Sequence, residues 1–137
     1  MPRLTRWMIK SALLWFVVGL LAAGLLAFQP LLNLPPLIGL PTVLHFLVVG
    51  WVTQLIFGVV YWMFPKASAE QPRGNETLAW AAFILLNAGL LLRGAGEPWY
   101  ALDGGTSSGV VLAFAAAAQT AAGLLFTAVT WPRVKER

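Results

Sequence analysis

The chain contains no cysteine. Disulfides, thiolate metal sites, thiol catalysis and cysteine-attached haem are thereby excluded, and metal chemistry is left to histidine, methionine and carboxylates. That inventory is short, with one histidine (His45), three methionines and five acidic residues among 137 positions. Charge is scarce as well. Only 10% of residues are charged against 59% hydrophobic, far from the balance of a soluble domain. The chain therefore reads as an integral membrane protein, a single domain over 1–137. A net charge of +4 suggests nucleic acid in a soluble protein. Here the basic residues cluster at the ends of apolar segments, where they meet anionic lipid and fix orientation. The bilayer is the expected partner, and nucleic acid is not.

Four segments reach the length and apolarity that cross a ~30 Å hydrocarbon core: about 7–28, 40–64, 77–92 and 109–131. The expected fold is all-α, an up-down four-helix membrane bundle. The first segment is itself as long as a span and lacks a small-residue cleavage pattern, so no cleavable signal peptide is expected. Arg3, Arg6, Lys10, Lys66, Arg73, Arg133, Lys135 and Arg137 fall on one side and Arg93 alone on the other. By the positive-inside rule both termini are then cytoplasmic, and the His45 end of the second helix faces outward.

The connection after the first helix, QPLLNLPPLIGLPT, holds Pro30, Pro35, Pro36 and Pro41 and cannot be a regular helix. It reads as an extended loop covering the outer end of the bundle. In the polar connection PKASAEQPRGNET, Asn75 offers a cap for the third helix. The connection GAGEPWYALDGGTSSG reads as a longer outer loop carrying Glu97, Trp99, Tyr100 and Asp103, with Ser107 or Ser108 capping the fourth helix. Gly19, Ala23 and Gly24 form a small-residue patch for helix packing, and the alanine-rich fourth helix reads as close-packing rather than lipid-facing. Gln54 and Gln119 lie at matching depth, ~15 Å from the outer end of their helices. A hydrogen bond between them is the economical expectation, and Asn87 is expected to cap a loop carbonyl or join a polar cluster.

An ionisable side chain inside a span is costly and is a functional-site candidate by default. At 100° per residue, the side of the second helix that carries His45 also carries Val49, Val52, Ile56 and Val59, a smooth β-branched wall suited to a flat cofactor or a second protomer. The opposite side carries Gly50, Gln54 and Gly58. Met63 returns to the histidine side ~27 Å away, too far to share a metal with His45. From position alone His45 is either a cofactor ligand or an interfacial histidine satisfied by water and headgroups.

The run His45-Phe46-Leu47-Val48-Val49-Gly50-Trp51, continuing through Phe57-Gly58-Val59-Val60-Tyr61-Trp62-Met63-Phe64-Pro65-Lys66, resembles the second helix of subunit I of haem–copper oxidases and nitric oxide reductases. NnrS-like membrane haem proteins look similar in the same stretch. The resemblance extends weakly into the first helix, with its Arg6-Trp7 start, Lys10 and Gly19. It implies that His45 is an axial ligand of a b-type haem, and that the location is a bacterial inner (plasma) membrane. The departures limit the inference, because that family's further haem ligand and copper ligands are histidines on helices that have no counterpart here. Oxygen or nitric oxide reduction by this chain alone is not expected. With one histidine per chain, a six-coordinate haem needs two protomers, each offering His45 across a two-fold axis. The resemblance thus implies one haem b per homodimer formed through the second helix, with Val49, Val52 and Ile56 as its wall. Electron transfer, with a redox partner protein, or gas binding is the expected role. Arg93 is a candidate partner of the haem propionates, with a salt bridge to Glu97 or Asp103 as the alternative. Two other readings stay open: a cofactor-free scaffold or assembly subunit, and a copper- or zinc-handling protein using His45 with Glu97 or Asp103.

Overall fold

The computed structural model describes residues 1–134. Among them it is all-helical, with four helices long and apolar enough to cross a membrane. The first helix spans Arg3–Phe28, the second Leu40–Met63, the third Glu76–Asp103 and the fourth Thr106–Thr130, closed by a 3₁₀ turn over Trp131–Arg133. Successive helices run antiparallel. Gly19 of the first helix meets Leu47 of the second, whereas Gly58 of the second meets Met8 and Ile9 of the first. In the third helix, Gly89 meets Ala115 and Gln119 of the fourth, and Gly96 meets Val111 and Leu112. Both ends of the described chain therefore lie at one end of the bundle, joined there by a core of Leu4, Met8, Tyr61, Ala79, Ala82, Phe126 and Val129.

The interior is held by small-residue contacts and by one polar chain. A Cβ at Gly50 would stand 2.8 Å from Trp15 Cβ, and one at Gly89 only 2.9 Å from the Ala115 carbonyl oxygen, so glycine sets the helix separation at both places. Between them, Trp15 Nε1–H donates to Asn87 Oδ1 at 2.8 Å. Asn87 Nδ2 donates to Gln54 Oε1 at 3.0 Å and to Phe83 O at 2.8 Å, and Gln54 Nε2 donates to Met8 O at 3.3 Å. Three helices are thus tied together through fully buried Gln54.

This arrangement corrects the expected Gln54–Gln119 bond. Asn87 on the third helix takes the place of Gln119, and Gln119 lies instead against Gly89, its buried Nε2 without a partner among the described residues. The physical reason is which helices are neighbours. The third helix presents Asn87 to the first and second helices and Gly89, two residues on, to the fourth. The fourth helix buries Ala115 and Ala122 completely. Its other side, with Phe114 65% and Leu124 67% exposed, faces outward, so only one of its faces is the close-packing surface expected of the whole helix.

The third helix also departs from expectation by running past 92 to Asp103, through Pro98. Proline in a helix interior removes a backbone hydrogen bond. Here Gly96 packs on Val111 and Leu112 of the fourth helix, and this tertiary contact carries the helix through the proline. What read as a long outer loop is helix, and the true connection is Gly104 and Gly105, with Gly104 in the left-handed region at φ 61°. Such a turn favours glycine. Gly105, not a serine, caps the fourth helix, and Ser108 Oγ donates back to the Gly105 carbonyl at 2.9 Å. Asn75 does cap the third helix, its Oδ1 accepting from Leu78 N–H at 3.1 Å.

The proline-rich connection is irregular, as expected, and its ends are pinned. Buried Gln29 donates through Nε2 to Ile38 O at 2.9 Å and accepts through Oε1 from Ile38 N–H at 2.7 Å. One side chain closes the loop like a rung of β-sheet, leaving Leu31, Leu32 and Pro36 exposed over the His45 end.

Candidate functional site at the His45 end of the bundle

The second helix is not uniform. After a short α-helical start at Leu40–Leu44 it winds into wide π-helical turns over His45–Thr53, then returns to α over Gln54–Met63. Such turns are rare and concentrate at functional sites. Their effect is visible in the burial pattern. Thr42, Phe46, Gly50, Gln54 and Gly58 are all buried at a strict spacing of four. In an α-helix each step of four overshoots a full turn by about 40°. The wider turns cancel much of that drift and keep all five on the inward line.

The same winding re-sorts the expected wall. His45 shares its half-buried line with Val49, Thr53 and Phe57, and Phe57 stacks on Phe126 of the fourth helix with ring centroids 3.8 Å apart. Leu44, Val48, Val52 and Ile56 form the next line, 40–53% exposed. Val49 therefore stays directly below His45, while Val52 and Ile56 stand one line over, on the outward surface. The spacing of 100° per residue used for the expected wall holds only for an α-helix.

The ring of His45 is fixed from the turn before it. Nδ1 lies 2.8 Å from the carbonyl oxygen of Pro41, one turn earlier. A carbonyl can only accept, so the Nδ1 proton points to Pro41, and in the neutral ring the lone pair falls to Nε2. Orientation by a backbone carbonyl through the other ring nitrogen is the usual support of a ligating histidine.

On the inward side of the same turn, a charged cluster joins the second and third helices. Arg93 Nη1 contacts Glu97 Oε1 at 2.7 Å, with side chains 16% and 13% exposed. The other Glu97 oxygen accepts from the hydroxyl of fully buried Thr42. The guanidinium is thus engaged by Glu97, the alternative weighed against propionate binding. Beside this pair lies a cavity of about 390 Å³, lined also by Ile38, Pro41, Tyr100 and Leu112. No group of three or more His, Cys, Asp or Glu residues comes together to hold a metal ion among the described residues. Asp103 closes the third helix at its C-terminal end and Glu97 is committed to Arg93 and Thr42, and neither forms a cluster of three metal-binding groups with His45 among the described residues.

The sequence reading missed Pro41 as the support of His45 and Thr42 as the partner of Glu97. Both lie within one turn of the histidine, and the four-residue step from Pro41 to His45 was the available signal. Comparison with known protein families, with curated proteins and with solved structures finds no match to this chain.

Proposed function

We propose that the chain is a membrane haem protein in which His45 Nε2 is an axial ligand of a b-type haem, acting in electron transfer or gas binding. The observation that carries this reading is the Nδ1 contact to the Pro41 carbonyl at 2.8 Å. It orients the only histidine of the chain with its free lone pair on a half-exposed side of a π-helical segment. The donor set suits haem better than a bare metal ion, since haem iron needs only axial ligands from the protein, whereas a protein zinc site needs three or four. The likeness to haem–copper oxidase subunit I points the same way. Bound haem would supply the redox or gas-binding chemistry.

The roles of this chain's own residues follow. His45 supplies the ligand and Pro41 holds its tautomer. Val49 and the outward line of Val48, Val52 and Ile56 offer apolar surface that excludes water, and the same outward line is the contact for a second copy. In a two-fold dimer through this helix each His45 takes one axial position, giving one haem per two chains. Arg93 acts as the fixed partner of Glu97 on the inward side of the same turn rather than as a free propionate clamp. The cytoplasmic placement of both termini belongs to the same proposal and rests on the distribution of Lys and Arg, and a bacterial inner membrane rests on the resemblance alone.

Haem content of purified His45→Ala and His45→Met tests the ligand. His45→Ala is expected to lose haem while remaining folded in the membrane, and His45→Met to hold haem at a raised potential. Haem retained by His45→Ala contradicts the assignment.

A further inference from the structure

At the end that carries both termini, three buried polar atoms have no partner among the described residues: Thr5 Oγ1, Tyr61 OH and Arg133 Nη1. They come from the first helix, the second helix and the turn that closes the fourth. Their residues are 0%, 0% and 1% exposed. Buried polar groups are nearly always satisfied by protein, water or ligand, and of these three Arg133 lines a cavity.

Arg133 defines its chemistry. Its Nε and Nη2 donate to Pro65 O at 3.0 Å and Phe64 O at 2.8 Å, capping the last turn of the second helix, and its Cζ stands 5.6 Å from the Tyr61 ring centroid. Two carbonyls satisfy two donors but leave the charge uncompensated. The one ion pair among the described residues is Arg93–Glu97, at the opposite end of the bundle. A guanidinium this deeply buried without an anion carries a desolvation cost that a bound anion would offset. Arg133 also lines a cavity of about 190 Å³ whose other walls are Phe64, Pro65 and Val134, and Trp131, 74% exposed, opens the same closing turn.

We infer that this is a binding site for an anionic phospholipid, its phosphodiester facing Arg133 and its glycerol and upper acyl groups lying on Phe64, Pro65, Val134 and Trp131. The apolar walls favour a lipid over a free phosphate ion. Position agrees, because basic pockets between helices at the end of a bundle meet lipid headgroups, and Arg3, Arg6, Lys10, Lys66 and Arg73 lie towards the same end of their segments. The site is independent of the haem reading and lies at the other end of the molecule.

Native mass spectrometry of the full chain, with phosphatidylglycerol, phosphatidylcholine or inorganic phosphate added separately, tests it. One phosphatidylglycerol is expected to stay bound per chain. Arg133→Gln is expected to weaken its retention about tenfold, the loss of one charge-assisted contact, while Arg3→Gln and Arg6→Gln, which remove the same charge from exposed positions, change it less than about twofold. Tyr61→Phe, which removes a single oxygen, is expected to weaken retention without unfolding the protein and decides the matter if Arg133→Gln does not fold. Equal retention of the two lipids, equal losses in the three arginine variants, unchanged retention in Tyr61→Phe when it alone can be read, or inorganic phosphate displacing the lipid at similar concentration would each overturn the inference.

Discussion

Asn87→Leu keeps the branched shape of a side chain at the junction of three helices and deletes its polar atoms. Asn87 accepts from Trp15 Nε1–H and donates to Gln54 Oε1, so the substitution removes two interhelical hydrogen bonds. The contact with Phe83 O is within its own helix and adds little. Interhelical hydrogen bonds in membrane proteins average ~0.6 kcal/mol and reach ~1.7 kcal/mol, which brackets the loss between about 1 and about 3 kcal/mol. The upper part of that range is expected, because the Trp15 indole N–H and the fully buried Gln54 amide are left without those partners. Equilibrium unfolding in mixed micelles measures the change. The decisive comparison is the double variant. Adding Gln54→Leu to Asn87→Leu removes the orphaned amide oxygen as well, so the pair is expected to cost less than the sum of the two singles by at least about 0.5 kcal/mol. Additive costs, or a single-variant cost below about 0.5 kcal/mol, would refute a shared network across the first three helices.

Two further outcomes follow from the packing and from the charge distribution. Gly89→Val places a Cβ 2.9 Å from the Ala115 carbonyl oxygen, which cannot move without parting the third and fourth helices. A loss of about 1–3 kcal/mol is expected, against little change for Gly24→Ala, whose Cβ meets nothing within 4 Å. A reporter fused after Arg137 is expected to be active in the cytoplasm, and activity only on the far side of the membrane would reverse the proposed orientation.

The four spans were legible because twenty-residue apolar runs leave few alternatives to a membrane helix. The end of the third helix was not. Gly94, Gly96 and Pro98 carry local signals for a break, and only contacts with Val111 and Leu112 on the fourth helix override them. The amides were recognised as interior hydrogen-bonding groups, yet depth along a helix does not say which helix stands next to it, so Gln54 was paired with Gln119 instead of Asn87. His45 stood out as the sole histidine in a span. The π-helical winding below it has no local sequence signature. It follows from the need to keep Phe46, Gly50 and Gln54 on one inward line against Trp15 and Asn87, and this is why Val52 and Ile56 lie one line away from the histidine.

The most direct measurement is the absorption spectrum of the purified wild-type protein, oxidised and reduced, with haem and chain quantified in the same sample. Ligation by two copies of His45 predicts a low-spin, six-coordinate spectrum and one haem per two chains. A five-coordinate, high-spin spectrum with one haem per chain would contradict the bridged dimer while keeping His45 as a ligand, and protein that binds no haem when haem is supplied would contradict the account as a whole.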